Sequence, residues 1–117
     1  MPNWLGARAT IVKLKRSKFS VVRVMNDYGC AFPIWYQTEP EQIRSLLPQQ
    51  TVTALLSWAA YFDHNFDHET GWKNDSDSSA QYEIGLNLAR TVKAQLPPEY
   101  VVQYEPWEHK KRTKRIR

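Results

Sequence analysis

The sequence predicts an α+β domain: a three- to four-stranded, mostly antiparallel sheet with three helices packed on one face, in the order ββαααβ. Three observations predict it. Two β-branched runs stand close together near the N-terminus. Apolar residues recur at helical spacing through the middle of the chain. Near the end, Tyr100, Val102 and Tyr104 alternate with Val101, Gln103 and Glu105, the period of a half-buried strand. Runs of strands and runs of helices, rather than strict alternation, favour a small sheet covered on one side.

Residues 8–15 (Arg-Ala-Thr-Ile-Val-Lys-Leu-Lys) read as the first strand and residues 19–25 (Phe-Ser-Val-Val-Arg-Val-Met) as the second, with Arg16-Ser17-Lys18 between them. Asn26-Asp27-Tyr28-Gly29 is a turn, because Gly29 tolerates positive φ and the Asp27 carboxylate bonds nearby amides. Cys30 to Tyr36 is apolar but contains Pro33, which confines it to a sheet edge. Thr38 and Glu41 form a capping box for a short helix that Pro48 ends, with Pro40 in its first turn. A second helix spans 50–64, its apolar face made by Val52, Leu55, Leu56, Trp58, Ala59 and Phe62. Residues 65–78 are expected to form a long acidic loop. The third helix follows, capped by Ser78 and Gln81, with Ile84, Leu88, Val92 and Leu96 as its buried stripe and Gly85 and Ala89 beside it. Pro97-Pro98 ends it. The expected domain is 1–108, and 109–117 is expected to be a flexible basic tail with nothing to bury.

Charge is distributed unevenly. Residues 1–25 hold Arg8, Lys13, Lys15, Arg16, Lys18 and Arg23 and no acid. Residues 26–108 hold all twelve acids against Arg44, Lys73, Arg90 and Lys93. The tail adds Lys110, Lys111, Arg112, Lys114, Arg115 and Arg117, so the overall +4 averages two surfaces of opposite sign. Such asymmetry speaks of partners rather than of fold. With 42% hydrophobic residues the body is globular. No apolar run reaches the roughly eighteen residues of a membrane span. A single cysteine and the absence of a signal-like start point to the cytoplasm.

Candidate chemistry is sparse. His64 and His68 stand four apart near Asp67 and Glu69 and are the only metal-ligand candidates, but no zinc signature accompanies them, and a polar helix end whose histidines offset the C-terminal dipole accounts for them better. Cys30, flanked by Ala31, Phe32 and Pro33, reads as a buried apolar thiol rather than a nucleophile. Ser57 lacks the glycines of a nucleophile elbow. No catalytic residue, cofactor, metal or small-molecule ligand is expected. The carboxylates of Asp63, Asp67, Glu69, Asp75, Asp77 and Glu83 surround Trp72, an indole with little core to join in a loop. Acids around an aromatic anchor suit a protein interface that recruits a basic partner. The basic tail, through Lys110, Lys111, Arg112, Lys114, Arg115 and Arg117, suits phosphate contacts.

From residue 22 onward the chain resembles a known set. Val22-Arg23-Val24-Met25 precedes Asp27-Tyr28-Gly29-Cys30, then Pro33 and Trp35; Trp58 and Phe62-Asp63 follow on a helix. Gly85-x-x-Leu88-Ala89 and Leu96-x-Pro98-Glu99-Tyr100-Val101-Val102 complete the pattern. It resembles small bacterial α/β proteins, among them the immunity proteins paired with contact-dependent growth-inhibition toxins. The resemblance covers about residues 22–104 and departs at both ends. It implies a cytoplasmic protein that binds and sterically neutralises a basic toxin, with a nuclease as the fitting class, and it brings no catalytic residue. The competing reading is a nucleic-acid-associated accessory protein acting through the basic tail and the N-terminal hairpin.

Overall fold

A computed structural model describes residues 20–36 and 39–117. The strand expected at 8–15 and the Thr38 cap lie outside the described residues. The elements run β1 (Val21–Val24), β2 (Ile34–Trp35), α1 (Pro40–Arg44), α2 (Gln49–Asn65), β3 (Phe66–Asp67), β4 (Gly71–Trp72), α3 (Asp75–Gln95), β5 (Val101–Tyr104), a 3-10 turn at Trp107–His109, and β6 (Lys114–Ile116). The expected α+β class, its three helices and its mostly antiparallel four-stranded sheet are all present. The sheet order is β2-β1-β5-β6. β1 pairs antiparallel with β2, and β5 antiparallel with β6. The central pair is parallel, with Val22 beside Val102 and Val24 beside Tyr104.

Alternation decides which face is covered. Val22, Val24, Val102 and Tyr104 are fully buried while Arg23 is exposed. On the covered face these four meet Leu55 and Trp58 of α2 and Leu86, Ala89 and Val92 of α3 in one cluster. Gly85 sits where α3 passes close to Trp58 and Tyr104. A Cβ there would lie 2.8 Å from Tyr104 Cζ and closer still to Trp58 Cζ2 and the Tyr104 hydroxyl. The glycine therefore makes room for two aromatic side chains. Overpacking of this kind costs about 1–3 kcal/mol, more than the roughly 1 kcal/mol of helix propensity the glycine sacrifices.

Four local expectations change. The buried face of α3 is Gln81, Gly85, Leu86, Ala89 and Val92, with Leu96 buried just past its end. Ile84 is 46% exposed and Leu88 only partly buried. A step of four residues overshoots the 3.6-residue turn, so a row counted back from Val92 drifts off the core side within two steps. The segment 65–78 is not one loop. Asn65 ends α2, Phe66–Asp67 and Gly71–Trp72 form a two-stranded hairpin with Phe66 opposite Trp72, and Asp75 to Ser78 begin α3. Asp67 Oδ1 accepts from the amides of Glu69 and Thr70 at 2.7 and 3.0 Å, and Gly71 takes φ 79°. α3 starts at Asp75 because Asn74, not Ser78, is the cap: its Oδ1 accepts from the Asp77 amide at 2.7 Å. Finally, the segment read as a tail returns to the sheet. Lys114–Ile116 pairs with β5, and Ile116, 5% exposed, joins the core cluster. One isoleucine among six cations was too weak a pattern to read as a strand, yet one inward side chain suffices on an edge.

Candidate functional site

The hairpin, the end of α2, the Asp27–Gly29 turn and the 3-10 turn bring aromatic side chains together beside the main core. Phe62 and Phe66 stack with ring centres 5.1 Å apart. Trp72 meets Phe66 edge-on at 5.2 Å and stacks on His109 at 5.3 Å with 13° between planes. Trp107 lies 5.8 Å from Phe62 and 5.7 Å from Phe66, and Tyr28, half exposed, closes the group over Phe62 and Trp107 at 5.6 Å each. Trp107 Nε1 donates to the Asn26 carbonyl at 2.6 Å and Trp72 Nε1 to the Glu108 carbonyl at 3.3 Å. Trp72 is thus part of a packed cluster, not the isolated loop indole expected from sequence: the hairpin supplies the partners that a loop would have lacked.

Below these rings lies a polar group that sequence reasoning passed over. Asn26 Nδ2 donates to Glu108 Oε2 at 2.9 Å. Glu108 is 5% exposed, and burial pushes its carboxyl up to about 7. His109 Nδ1 lies 3.1 Å from Ser78 Oγ on α3, and burial holds the imidazole down at about 4. His109 Nε2 is 4.0 Å from Glu108 Oε2, too far for a hydrogen bond. Asn26 Oδ1, Glu108 Oε1 and His109 Nε2 are buried without a hydrogen-bond partner. Serine, histidine and glutamate have the composition of a proton relay. A base held neutral until about pH 4 and detached from its carboxylate is suited to packing rather than to proton transfer at neutral pH. The signal in the sequence was Pro106-Trp107-Glu108-His109: a charged pair set behind a proline and an indole, directly after an alternating strand.

A cleft of about 540 Å³ opens beside this group. Its wall includes Phe66, Trp72, Trp107, Glu108 and His109, with Glu69, Asp75, His68 and Lys110 also lining it. Of the acids expected at an interface, Glu69 and Asp75 reach this cleft. Asp67 is turned into the hairpin, where the Glu69 and Thr70 amides hold it below the usual carboxylate range. Asp77 is half-buried, accepts from Asn74 Nδ2 at 3.2 Å and bonds the Tyr61 hydroxyl. Asp63 is exposed on the last turn of α2. Glu83 lines a separate depression of about 150 Å³ with Ser78, Ser79, Tyr82, His109 and Lys111. The acids expected at one face are therefore divided: Glu69 and Asp75 line one hollow, Glu83 another, and Asp67 a turn.

The other candidates fall elsewhere. His64 Nδ1 lies 2.8 Å from the Ala60 carbonyl on its own helix, and α2 ends at Asn65, so His68, paired with Glu69 at 3.4 Å, is not on a continued helix with it. Among the described residues no three His, Cys, Asp or Glu side chains gather as a metal site. Cys30 is half-buried rather than buried; its Sγ donates to the Phe32 carbonyl at 3.3 Å, and burial pushes the thiol up, away from nucleophilic use. Of the basic tail, Lys110, Lys111, Arg112, Lys114, Arg115 and Arg117 are all exposed, and Lys111 Nζ sits 4.4 Å over the Tyr82 ring. Among the described residues no helix is long and apolar enough to cross a membrane.

Compared with known protein families, residues 20–107 match the model described as Serratia CdiI immunity protein-like. The chain belongs to this family. The match covers β1 through the beginning of the 3-10 turn, so it includes the aromatic cluster and most of the cleft, and it stops short of β6. No curated protein matches the chain. Family membership supports an immunity role and implies a cognate toxin as partner.

Proposed function

We propose that the protein binds a cognate basic toxin in the cytoplasm and neutralises it sterically, covering the positively charged groove with which a nuclease toxin would hold phosphate. The family match carries this reading, and the exposed carboxylates of Glu69 and Asp75, which line one cleft with Trp72, support it. Exposed carboxylates steer a basic partner during encounter, while the aromatic cluster offers apolar area for the docked state. Steering has a measurable mark. Exposed charges are screened beyond about 8 Å at physiological ionic strength. The association rate with the toxin is therefore expected to fall as salt rises, with dissociation changing less; an association rate indifferent to salt contradicts the steering role.

One observation favours a second reading. β6 fixes Lys114 and Arg115 on an ordered sheet edge, so the basic segment has a definite geometry in which to meet phosphates. Replacing Lys114 and Arg115 by glutamine leaves Ile116 in place and decides between them: nucleic-acid retention lost with toxin binding kept assigns the edge a separate role.

A further inference from the structure

The cleft beside the hairpin is more than a gap in the acidic neighbourhood. Its lining combines indoles from two elements, two exposed carboxylates, Glu69 and Asp75, and the buried Glu108, whose Oε1 has no partner. His109, whose side chain is 2% exposed, lines it too and leaves Nε2 without a partner. A buried polar atom left unpaired keeps its desolvation cost unless a ligand completes it. We propose that this cleft receives one guanidinium group, an arginine side chain of the toxin, which passes Glu69 and Asp75 and takes Glu108 as its buried acceptor.

The chemistry of the wall selects that occupant. Three carboxylates line the cleft against one lysine, Lys110, and two histidines, His68 and His109, the second held neutral by burial. The nearby start of α3 would by itself favour an anion, but Asn74 already accepts the Asp77 amide, and Asp75 and Asp77 occupy the first turn. An anion would meet filled donors and like charges. A cation meets acceptors. Arginine fits better than lysine because its planar, weakly hydrated guanidinium stacks on indoles and presents several donors at fixed angles to a carboxylate. The volume of about 540 Å³ lies within the range of small-ligand pockets, about 300–1,000 Å³.

This inference rests on the toxin-binding reading, but its experiment does not need the toxin. The full chain is titrated at pH 8 with N-acetylarginine amide, and separately with N-acetylnorleucine amide as the uncharged control, while the indole N–H resonances of Trp72 and Trp107 are followed by NMR. Saturable shifts of both resonances are expected with the arginine amide and not with the control. Glu108→Gln keeps the shape and removes the charge, and is expected to weaken the arginine amide roughly tenfold, the worth of one charge-assisted hydrogen bond. No arginine-specific shift, or equal affinity in Glu108→Gln, overturns the cleft as a guanidinium site. Titration of the unaltered protein against the toxin separates the two claims. Absent binding there removes the toxin reading, whereas toxin binding with a silent arginine titration removes only the cleft.

Discussion

Two aromatic-rich regions of this small protein are built on different terms. Between the sheet and the long helices, Val22, Val24, Val102 and Tyr104 pack against Leu55, Trp58, Ala89 and Val92, and the polar handles of the two rings are used. Trp58 Nε1 donates to the Gln81 carbonyl and the Tyr104 hydroxyl to the Tyr82 carbonyl, each at 3.0 Å; Gln81 Oε1 is the unpaired exception. Around the cleft, Trp72 and Trp107 are only partly buried, and three unpaired polar atoms lie among Asn26, Glu108 and His109. A region optimised for stability alone would shed such atoms. They lie beside an open, acid-lined hollow, where the proposed docking site would use them.

Tryptophan truncation gives the largest contrast. Trp58→Ala, which removes a ring 2% exposed from the main core, is expected to cost about 3–5 kcal/mol and to lower Tm sharply. Trp72→Ala removes a half-buried ring whose loss bares Phe66 and His109, and should cost less than Trp58→Ala in the same thermal melts. It is expected to weaken toxin binding by at least about 2 kcal/mol. Equal destabilisation by the two variants would erase the distinction between the regions.

The buried pair yields a pH contrast. Glu108 is raised to about 7 from 4.5, so the folded state binds its proton more tightly than the unfolded chain. That stability is full below about 4.5 and is lost as pH rises through 7. His109 is lowered to about 4 from 6.5, so the unfolded chain binds that proton more tightly; stability is lost as pH falls from 6.5 through 4. The two slopes oppose each other between about 4.5 and 6.5, and each amounts to something on the order of 3 kcal/mol. The unaltered protein should therefore show a flat profile from this pair. Glu108→Gln is expected to leave stability rising with pH across the interval, and His109→Gln to leave it falling. Denaturant melts at a series of pH values read the two signs directly. Parallel profiles in the two variants would show that the pair does not carry the compensation.

How much of this was legible depends on periodicity. The main core was, because α2 carries Val52, Leu55, Trp58, Ala59 and Phe62 at helical spacing, β5 alternates, and both signals persist over several residues. The cleft was only half legible. Its carboxylates and Trp72 stood out by composition, but the β3–β4 hairpin has two-residue strands, too short to show a period. Glu108 and His109 were hidden for a different reason. They are charged residues in a 3-10 turn, and their burial comes from packing against Asn26, Ser78 and Trp72, tens of residues distant in sequence. No local pattern encodes such a contact.

The smallest expected effect concerns the last strand, where sequence and structure differ most. Read as a tail, 109–117 should be removable without consequence. In the structure Ile116 lies opposite Val102, and the Thr113 hydroxyl donates to Glu105. A buried isoleucine cut to alanine costs about 2–5 kcal/mol in a core, and a terminal edge strand that can fray belongs at the low end, about 2 kcal/mol. Ile116→Ala is therefore expected to lower Tm measurably. Arg115→Ala, exposed on the same strand, should stay within about 0.5 kcal/mol. The distinction also bears on the cleft. Lys110, with φ 56°, ends the 3-10 turn that carries Glu108 and His109, and β6 follows four residues later. If β6 holds that turn in place, Ile116→Ala should broaden the indole N–H resonance of Trp72, which donates to the Glu108 carbonyl, while leaving that of Trp58 sharp. Sharp resonances at both indoles would show that the cleft keeps its shape without the strand, and that the basic segment serves the sheet alone.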